Sequence, residues 1–227
     1  MISICIPVYN FDVSRLINEL VKQASELNVE SEIILIDDCS QKFKEKNRYF
    51  DKLSSRIHFY ELSENIGRAR IRNLFLDYAK FDYLLFLDCD SLVEKNDFLA
   101  TYFEVIKQES LVVCGGRVYP KERPERAKLL RWKYGVFRES QTAEVRKLNP
   151  NKSFMTNNFL IHKSVFQQIK FDERIRQYGH EDTLFGLALQ KKNITITHIE
   201  NPIVNGDIET NSEFLRKTKE SIVSLVA

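Results

Sequence analysis

A chain of 227 residues that is 43% hydrophobic and 11% aromatic carries enough apolar surface for one large or two fused small domains with a sizeable core. Its net charge of +2 argues against a dedicated nucleic-acid binder, and no apolar run approaches the roughly 20 residues that span a bilayer. Cys5, Cys39, Cys89 and Cys114 lack the paired spacing of a zinc site and read as reduced thiols, and no basic leader precedes Ile2, so a cytoplasmic protein is expected.

Residues 2–8 read as a first strand broken by Pro7, and Leu16, Ile17, Leu20, Val21, Ala24 and Leu27 then recur at helical spacing behind a cap at Asp12 or Ser14. Residues 32–37 form a second buried strand that ends in Asp37 and Asp38. A polar helical stretch and a third strand over residues 57–62 follow, and Gly67 opens a helix whose Ile71, Leu74, Phe75 and Tyr78 face inward. Residues 83–87 are apolar throughout, as a strand buried on both faces requires, and they run straight into Asp88-Cys89-Asp90. In extended chain, residues two apart project to the same side, so Asp88 and Asp90 aim together while Cys89 turns away. Taken alone, the pair also reads as a turn capping the next helix. At the carboxyl end of a parallel strand, where such sheets bind ligands, two hard oxygen ligands suit magnesium or manganese. Four strands alternate with three helices, which predicts an α/β fold with a parallel sheet covered on both faces and a nucleotide-binding first half. Neither Gly-x-Gly-x-x-Gly nor Gly-Lys-Ser/Thr occurs, which weakens dinucleotide oxidoreductases and P-loop enzymes, and a metal at Asp90 would supply the phosphates' counter-charge.

The second half opens with an amphipathic helix through Phe98, Tyr102, Val105 and Ile106, then an apolar strand over residues 111–114 and the break Gly115-Gly116. Arg117, Lys121, Arg123, Arg126, Lys128, Arg131, Lys133 and Arg138 come next, interleaved with Trp132, Tyr134 and Phe137. This run is either a solvated helix face or a surface that attracts an anionic acceptor or membrane. Residues 153–161 read as a strand interrupted by Asn157 and Asn158, and buried amides need partners. Glu181 and Asp182 stand in the first turn of a helix, where the dipole favours acids. Another strand is expected over residues 194–199. A last helix sets Phe214, Leu215, Ile222 and Val223 opposite Arg216, Lys217 and Lys219, to dock on the core or to mediate dimer or membrane contact.

Pro7-Val8-Tyr9-Asn10, Ile36-Asp37-Asp38-Cys39-Ser40, Asn65-x-Gly67 with Arg72-Asn73, Asp88-x-Asp90 and Gly179-His180-Glu181-Asp182 occur in this order. Together they resemble the inverting glycosyltransferases of family two, of the bacterial polysaccharide type, over nearly the whole chain. The resemblance implies a GT-A fold in one domain over residues 1–227, with residues 1–93 binding the nucleotide sugar and residues 94–227 binding the acceptor and carrying the base. It also implies a nucleotide-diphosphate sugar donor, usually a uridine one, and a Mn2+ or Mg2+ ion. Carried over, Pro7 and Tyr9 would border the base and Asp38 would accept its imide hydrogen bond. Gly67 would let backbone approach the nucleotide, with Arg68 or Arg72 near the diphosphate. Asn157 would reach the donor sugar, Asp88 the ribose or a metal-bound water, and Asp90 the metal itself, and Asp182 would be the catalytic base. Related enzymes often have a histidine where Asn205 stands, so the third protein ligand is open, with His198 weighed as a substitute against a structural role. The partners expected are a UDP-sugar, a glycan acceptor that is lipid-linked or soluble, peripheral contact with the inner face of the membrane, a homodimer, and no nucleic acid. Two other readings are a sugar-nucleotide pyrophosphorylase, whose glycine-rich loop is replaced here by Pro7-Val8-Tyr9-Asn10, and a receiver-like or otherwise non-catalytic binding module.

Overall fold

Runs of Ile, Val and Leu that leave no polar face are stable only where both sides of a sheet are covered, and the first half of the chain supplies several of them. The computed structural model describes residues 1–27, 29–175 and 179–226. Strands β1 (Ile2–Val8) and β2 (Ser31–Asp37) lie parallel with Ile4 opposite Ile33, joined by α1 (Ser14–Leu27). A short α2 (Lys44–Arg48) precedes β3 (Ile57–Glu61), which adds parallel to β2. Helix α3 (Arg68–Tyr78) then returns the chain to β4 (Tyr83–Leu87), parallel to β1 on its other side.

The remaining elements are β5 (Ser91–Leu92), α4 (Phe98–Lys107), β6 (Val112–Cys114), β7 (Arg117–Val118), α5 (Leu129–Tyr134), α6 (Ala143–Lys147), β8 (Asn158–His162), α7 (Lys163–Gln168), α8 (Glu181–Lys191), β9 (Thr197–His198), β10 (Ile203–Asn205) and α9 (Asn211–Val226). The large sheet has the order β3-β2-β1-β4-β8-β6-β9, with β8 antiparallel to β4 and β6, and a small sheet has the order β5-β10-β7. The mostly parallel sheet and its helical cover are as the alternation predicts.

Side chains alternate along a strand, so Ile2, Ile4, Ile6 and Val8 of β1 share one face, where they pack with Leu16, Ile17 and Leu20 of α1 and Phe98 and Leu99 of α4. Cys5 faces the other way, into a layer formed by Ile34, Ile36, Leu84 and Phe86 with Ile71 and Phe75 of α3 and Phe166 and Phe185 of α7 and α8. Phe86 stacks on Phe159 of β8 with centroids 4.8 Å apart, so the second half is anchored in the same core as the first. Burying such a side chain contributes about 1.5–3 kcal/mol, which makes this junction a main support for everything built at the sheet's edge.

Three expectations are corrected. The strand expected over residues 153–161 pairs only from Asn158, because the Asn158 amide is bound by the Tyr102 hydroxyl (2.5 Å) and donates to the carbonyls of Gly116 (2.8 Å) and Asn201 (2.9 Å), fixing where the ladder begins. The strand expected over residues 194–199 shrinks to β9, since Ile194 N–H returns to the Leu189 carbonyl at the end of α8 (3.0 Å). Finally, the basic run 117–138 is not one solvated face. Arg131 is 8% exposed within α5, which continues as a π-helical turn over Gly135–Glu139. Among the described residues no helix is long and apolar enough to cross a membrane.

Candidate active site

The carboxyl ends of β1, β2 and β4 open onto a cleft of about 610 Å3. Its lining brings together Pro7, Tyr9, Asp38, Gly67, Arg72, Asp88 and Asp90, with Arg68, Asp207, Arg216 and Lys217 closing it. The first half builds it locally. Asp38 N–H bonds the Val8 carbonyl (2.8 Å), and its carboxylate accepts the N–H groups of Ile66 (2.7 Å) and Gly67 (3.2 Å), drawing the loop before α3 against the ends of β1 and β2. Gly67 sits at φ 82 and ψ 170, a region essentially reserved for glycine, and a Cβ there would meet no other atom, so backbone conformation alone demands the residue. Burial, with the Asp37 charge beside it, raises the Asp38 pKa above the usual carboxylate range despite these two donors. The Tyr9 side chain is 53% exposed and its ring borders the cleft, open to a flat partner.

The strand ends at Leu87 and the chain turns there, Ser91 N–H bonding the Asp88 carbonyl (3.0 Å). Asp88 and Asp90 are therefore brought to one cleft by a turn, not by the two-residue repeat of an extended strand. Asp88 accepts from Arg72 Nη2 (2.6 Å), and Arg68 Nη2 lies 3.6 Å from its other oxygen. Burial would raise the Asp88 pKa, but the guanidiniums of Arg72, Arg68 and Arg117 outweigh it and hold the carboxyl below its ordinary value. Asp90 shows the opposite balance, with burial and the Asp88 charge pushing it up to about 6. A carboxylate raised in this way gains from an arriving cation.

Among the described residues no three His, Cys, Asp or Glu side chains group to hold a metal. His198 lies on β9 with Nε2 2.8 Å from the Pro150 carbonyl and Nδ1 3.2 Å from Arg146 Nη1, a structural placement. Asn205 pairs with Ser91 in the small sheet, and the following Gly206 N–H bonds the Asp90 carbonyl (2.9 Å). The donor set thus fits a cation that takes Asp90 and otherwise substrate phosphates and water, the usual habit of Mg2+.

A second cavity of about 530 Å3 shares Arg68 and Asp88 with the first and extends to Asn157, Glu181, Asp182, Arg117, Arg131 and Glu139. Asn157 is 3% exposed, yet among the described residues neither its amide nitrogen nor its amide oxygen has a partner. An orphaned buried amide costs about 1–3 kcal/mol per group, and a polar ligand in this cavity would relieve it. Asp182, half-buried in the first turn of α8, accepts Thr183 N–H (2.7 Å), and burial plus the Glu181 charge raises its pKa. Arg68 Nε reaches Glu181 (2.9 Å), tying the start of α3 to the start of α8. On the far wall, Glu139 takes Arg117 Nη1 (2.6 Å), Arg131 Nη2 (3.1 Å) and the Tyr119 hydroxyl. Burial would raise Glu139, but the two arginines dominate and bring it down to about 2.

Residues 3–170 match the model of glycosyl transferase family 2. The chain belongs to that family. It is 26% identical to the poly(ribitol-phosphate) β-N-acetylglucosaminyltransferase TarP of Staphylococcus aureus over 226 residues, covering 93% of this chain and 64% of the relative. Against TarS of the same species it is 31% identical over 98 residues, covering 41% of this chain and 17% of that one. The chain thus spans less than two thirds of the length of these curated relatives. Its fold is GT-A-like. The crystal structure of TarS residues 1–349 with UDP-GlcNAc superposes with a TM-score of 0.63 at 19% identity, covering 99% of this chain and 66% of that one. A mannosyltransferase from Pyrobaculum calidifontis with GDP-Man and Mn2+ gives a TM-score of 0.66 at 16% identity, covering 98% and 62%. Family membership sets aside the pyrophosphorylase and receiver-like readings.

Within this family 2 fold, sequence reasoning overlooked the Glu139 cluster and the cleft residues of α9. The signal for Glu139 was a single acid closing a basic run. Of the placements expected for α9, the structure shows contact with α5 and the turn before it, while Leu215, Ile222 and Val223 stay exposed. Leu130 N–H bonds Asn211 Oδ1 (2.9 Å), Asn211 Nδ2 bonds the Arg126 carbonyl (2.9 Å), and the Arg131 guanidinium lies 5.2 Å over the Phe214 ring.

Proposed function

We propose that this family 2 chain moves a sugar from a UDP-sugar to a hydroxyl of a glycan acceptor with inversion at the anomeric carbon, using Asp182 as general base. The observation that carries this reading is that two cavities meet at Arg68 and Asp88, one holding the expected nucleotide residues and the other the orphaned Asn157 and the raised carboxyl of Asp182. A donor spanning the junction would put its uracil beside Pro7 and Tyr9, its ribose at Asp88 and its sugar at Asn157. Asp182 then approaches from the acceptor side, and a carboxylate with a raised pKa takes a hydroxyl proton more readily than an ordinary one. A Mn2+ or Mg2+ ion at Asp90 would offset charge on the departing diphosphate. In this division, residues 1–93 serve the donor, and residues 94–227 the acceptor and the base.

The names of TarP and TarS, together with the UDP-GlcNAc bound to TarS, make UDP-N-acetylglucosamine the first donor to test. The exposed Leu130, Tyr134 and Phe137, flanked by Lys133 and Arg138, suit peripheral contact with an anionic membrane at its cytoplasmic face. The test is a panel of nucleotide sugars, read by thermal stabilisation with and without Mn2+ and by uridine diphosphate release with glycan acceptors. Stabilisation by UDP-sugars and acceptor-dependent release are expected. No response to any uridine nucleotide would end the proposal.

A further inference from the structure

We propose that Arg216 and Lys217 of α9 bind the donor's diphosphate and stabilise it as it departs. The inference rests on the donor reading above and extends it to a helix outside the residues 3–170 that carry the family match. Helix α9 lies across both cavities. Arg216 and Lys217 line the nucleotide cleft, whereas Phe214, Leu215, Thr218 and Ser221 line the neighbouring one.

Charge is what requires them. The nucleotide cleft is lined by four carboxylates, Asp38, Asp88, Asp90 and Asp207, against four cations, Arg68, Arg72, Arg216 and Lys217. Arg72 is buried against Asp88, and Arg68 is shared between Asp88 and Glu181, so both are largely committed to holding the site together. Among the described residues, no histidine lines the cleft. A diphosphate entering here brings further negative charge, and the cations placed to meet it are those of α9.

Each has a carboxylate of its own segment within ion-pair distance. Arg216 pairs with Glu213 (2.6 Å) and Glu220, and Lys217 with Glu209 (2.5 Å). The Arg216 pairs face solvent and hold weakly, so their exchange for phosphate oxygens, which an arginine fork can grip in two places, is inexpensive, whereas Lys217 would leave a part-buried pair. Glu209 would not be stranded, because Arg131 Nε already lies 3.4 Å from it. In the transfer step, the acceptor oxygen forms a bond to the anomeric carbon as Asp182 takes its proton. The bond from that carbon to the β-phosphate oxygen breaks, and its electron pair stays on the diphosphate facing Arg216 and Lys217.

The test titrates the full chain with uridine diphosphate and with uridine monophosphate at one fixed Mn2+ concentration, by calorimetry. In the double variant Arg216→Gln and Lys217→Gln, uridine diphosphate should bind about tenfold or more weakly, with the monophosphate little changed. Lys217→Arg should retain most of the affinity, and turnover of the double variant should fall along with its product binding. Unchanged diphosphate affinity would overturn the proposal, as would equal losses for both nucleotides, which would mark α9 as a mere cover. A wild-type chain that binds neither nucleotide would instead overturn the donor reading, and this one with it.

Discussion

Arg68 Nε lies 2.9 Å from Glu181 Oε1 across 113 residues of sequence, joining the helix after the nucleotide loop to the helix that carries Asp182. Since Arg68 Nη2 also faces Asp88 at 3.6 Å, one side chain registers the two cavities against each other. Arg68→Met is therefore expected to raise the donor KM and lower kcat together, while a variant of an exposed cation away from the cavities, Lys22→Met, changes neither. Steady-state kinetics over both substrates checks this.

On the proposed mechanism, the pH dependence of turnover follows from Asp182. A general base must be ionised, so activity is lost as pH falls through its folded-state pKa, which burial and Glu181 place above the ordinary carboxylate value. Glu181→Gln removes the like charge, so the acidic limb of the kcat profile should shift to lower pH. A limb that stays in place would separate Asp182 from that limb.

Stability should depend on Glu139. Its carboxyl is depressed from 4.5 to about 2 when folded, so the stability it contributes is present above its unfolded pKa and disappears as pH falls from about 4.5 through 2. Glu139→Gln leaves Arg117 and Arg131 without their shared anion, a loss of about 3 kcal/mol or a Tm lower by roughly 6–12 °C. Calorimetric melts between pH 7 and pH 3 should show the variant less stable at neutral pH and less sensitive to acid.

Replacing an amide whose two polar atoms lack partners among the described residues by Leu removes an unmet desolvation cost, so Asn157→Leu should melt no lower than wild type. The same change removes the contact expected for the donor sugar, and kcat/KM should fall by about tenfold or more with uridine diphosphate affinity unchanged. Melting curves and product titration on one preparation decide it.

Gly67→Ala should cost about 1–3 kcal/mol in urea unfolding, because at φ 82 and ψ 170 the penalty is conformational and no clash has to be relieved. It should also weaken nucleotide binding, since the N–H groups of residues 66 and 67 fix Asp38.

The first half of the chain was legible because its information is local. Ile33 to Ile36 and Leu84 to Leu87 are apolar without interruption, and the acids that follow each run mark the carboxyl edge of the sheet, where the cleft opens. The geometry between Asp88 and Asp90 was less so, since a turn and a strand can both bring two such acids together. The second cavity depends on partners far apart in sequence, and neither Glu139 nor Arg131 announces which of its neighbours will turn inward with it. For α9, the amphipathic pattern identified a polar face carrying Arg216 and Lys217. It could not say that this face lies over the cleft at the ends of β1 and β4.

The most direct measurement of the whole account compares Asp182→Asn with wild type for uridine diphosphate release and uridine diphosphate binding. Turnover should fall by roughly 10²–10⁴-fold while nucleotide affinity stays the same, because the proposed base lies in the second cavity and the proposed nucleotide site in the first. Full turnover in the variant, or loss of nucleotide binding along with activity, would contradict it.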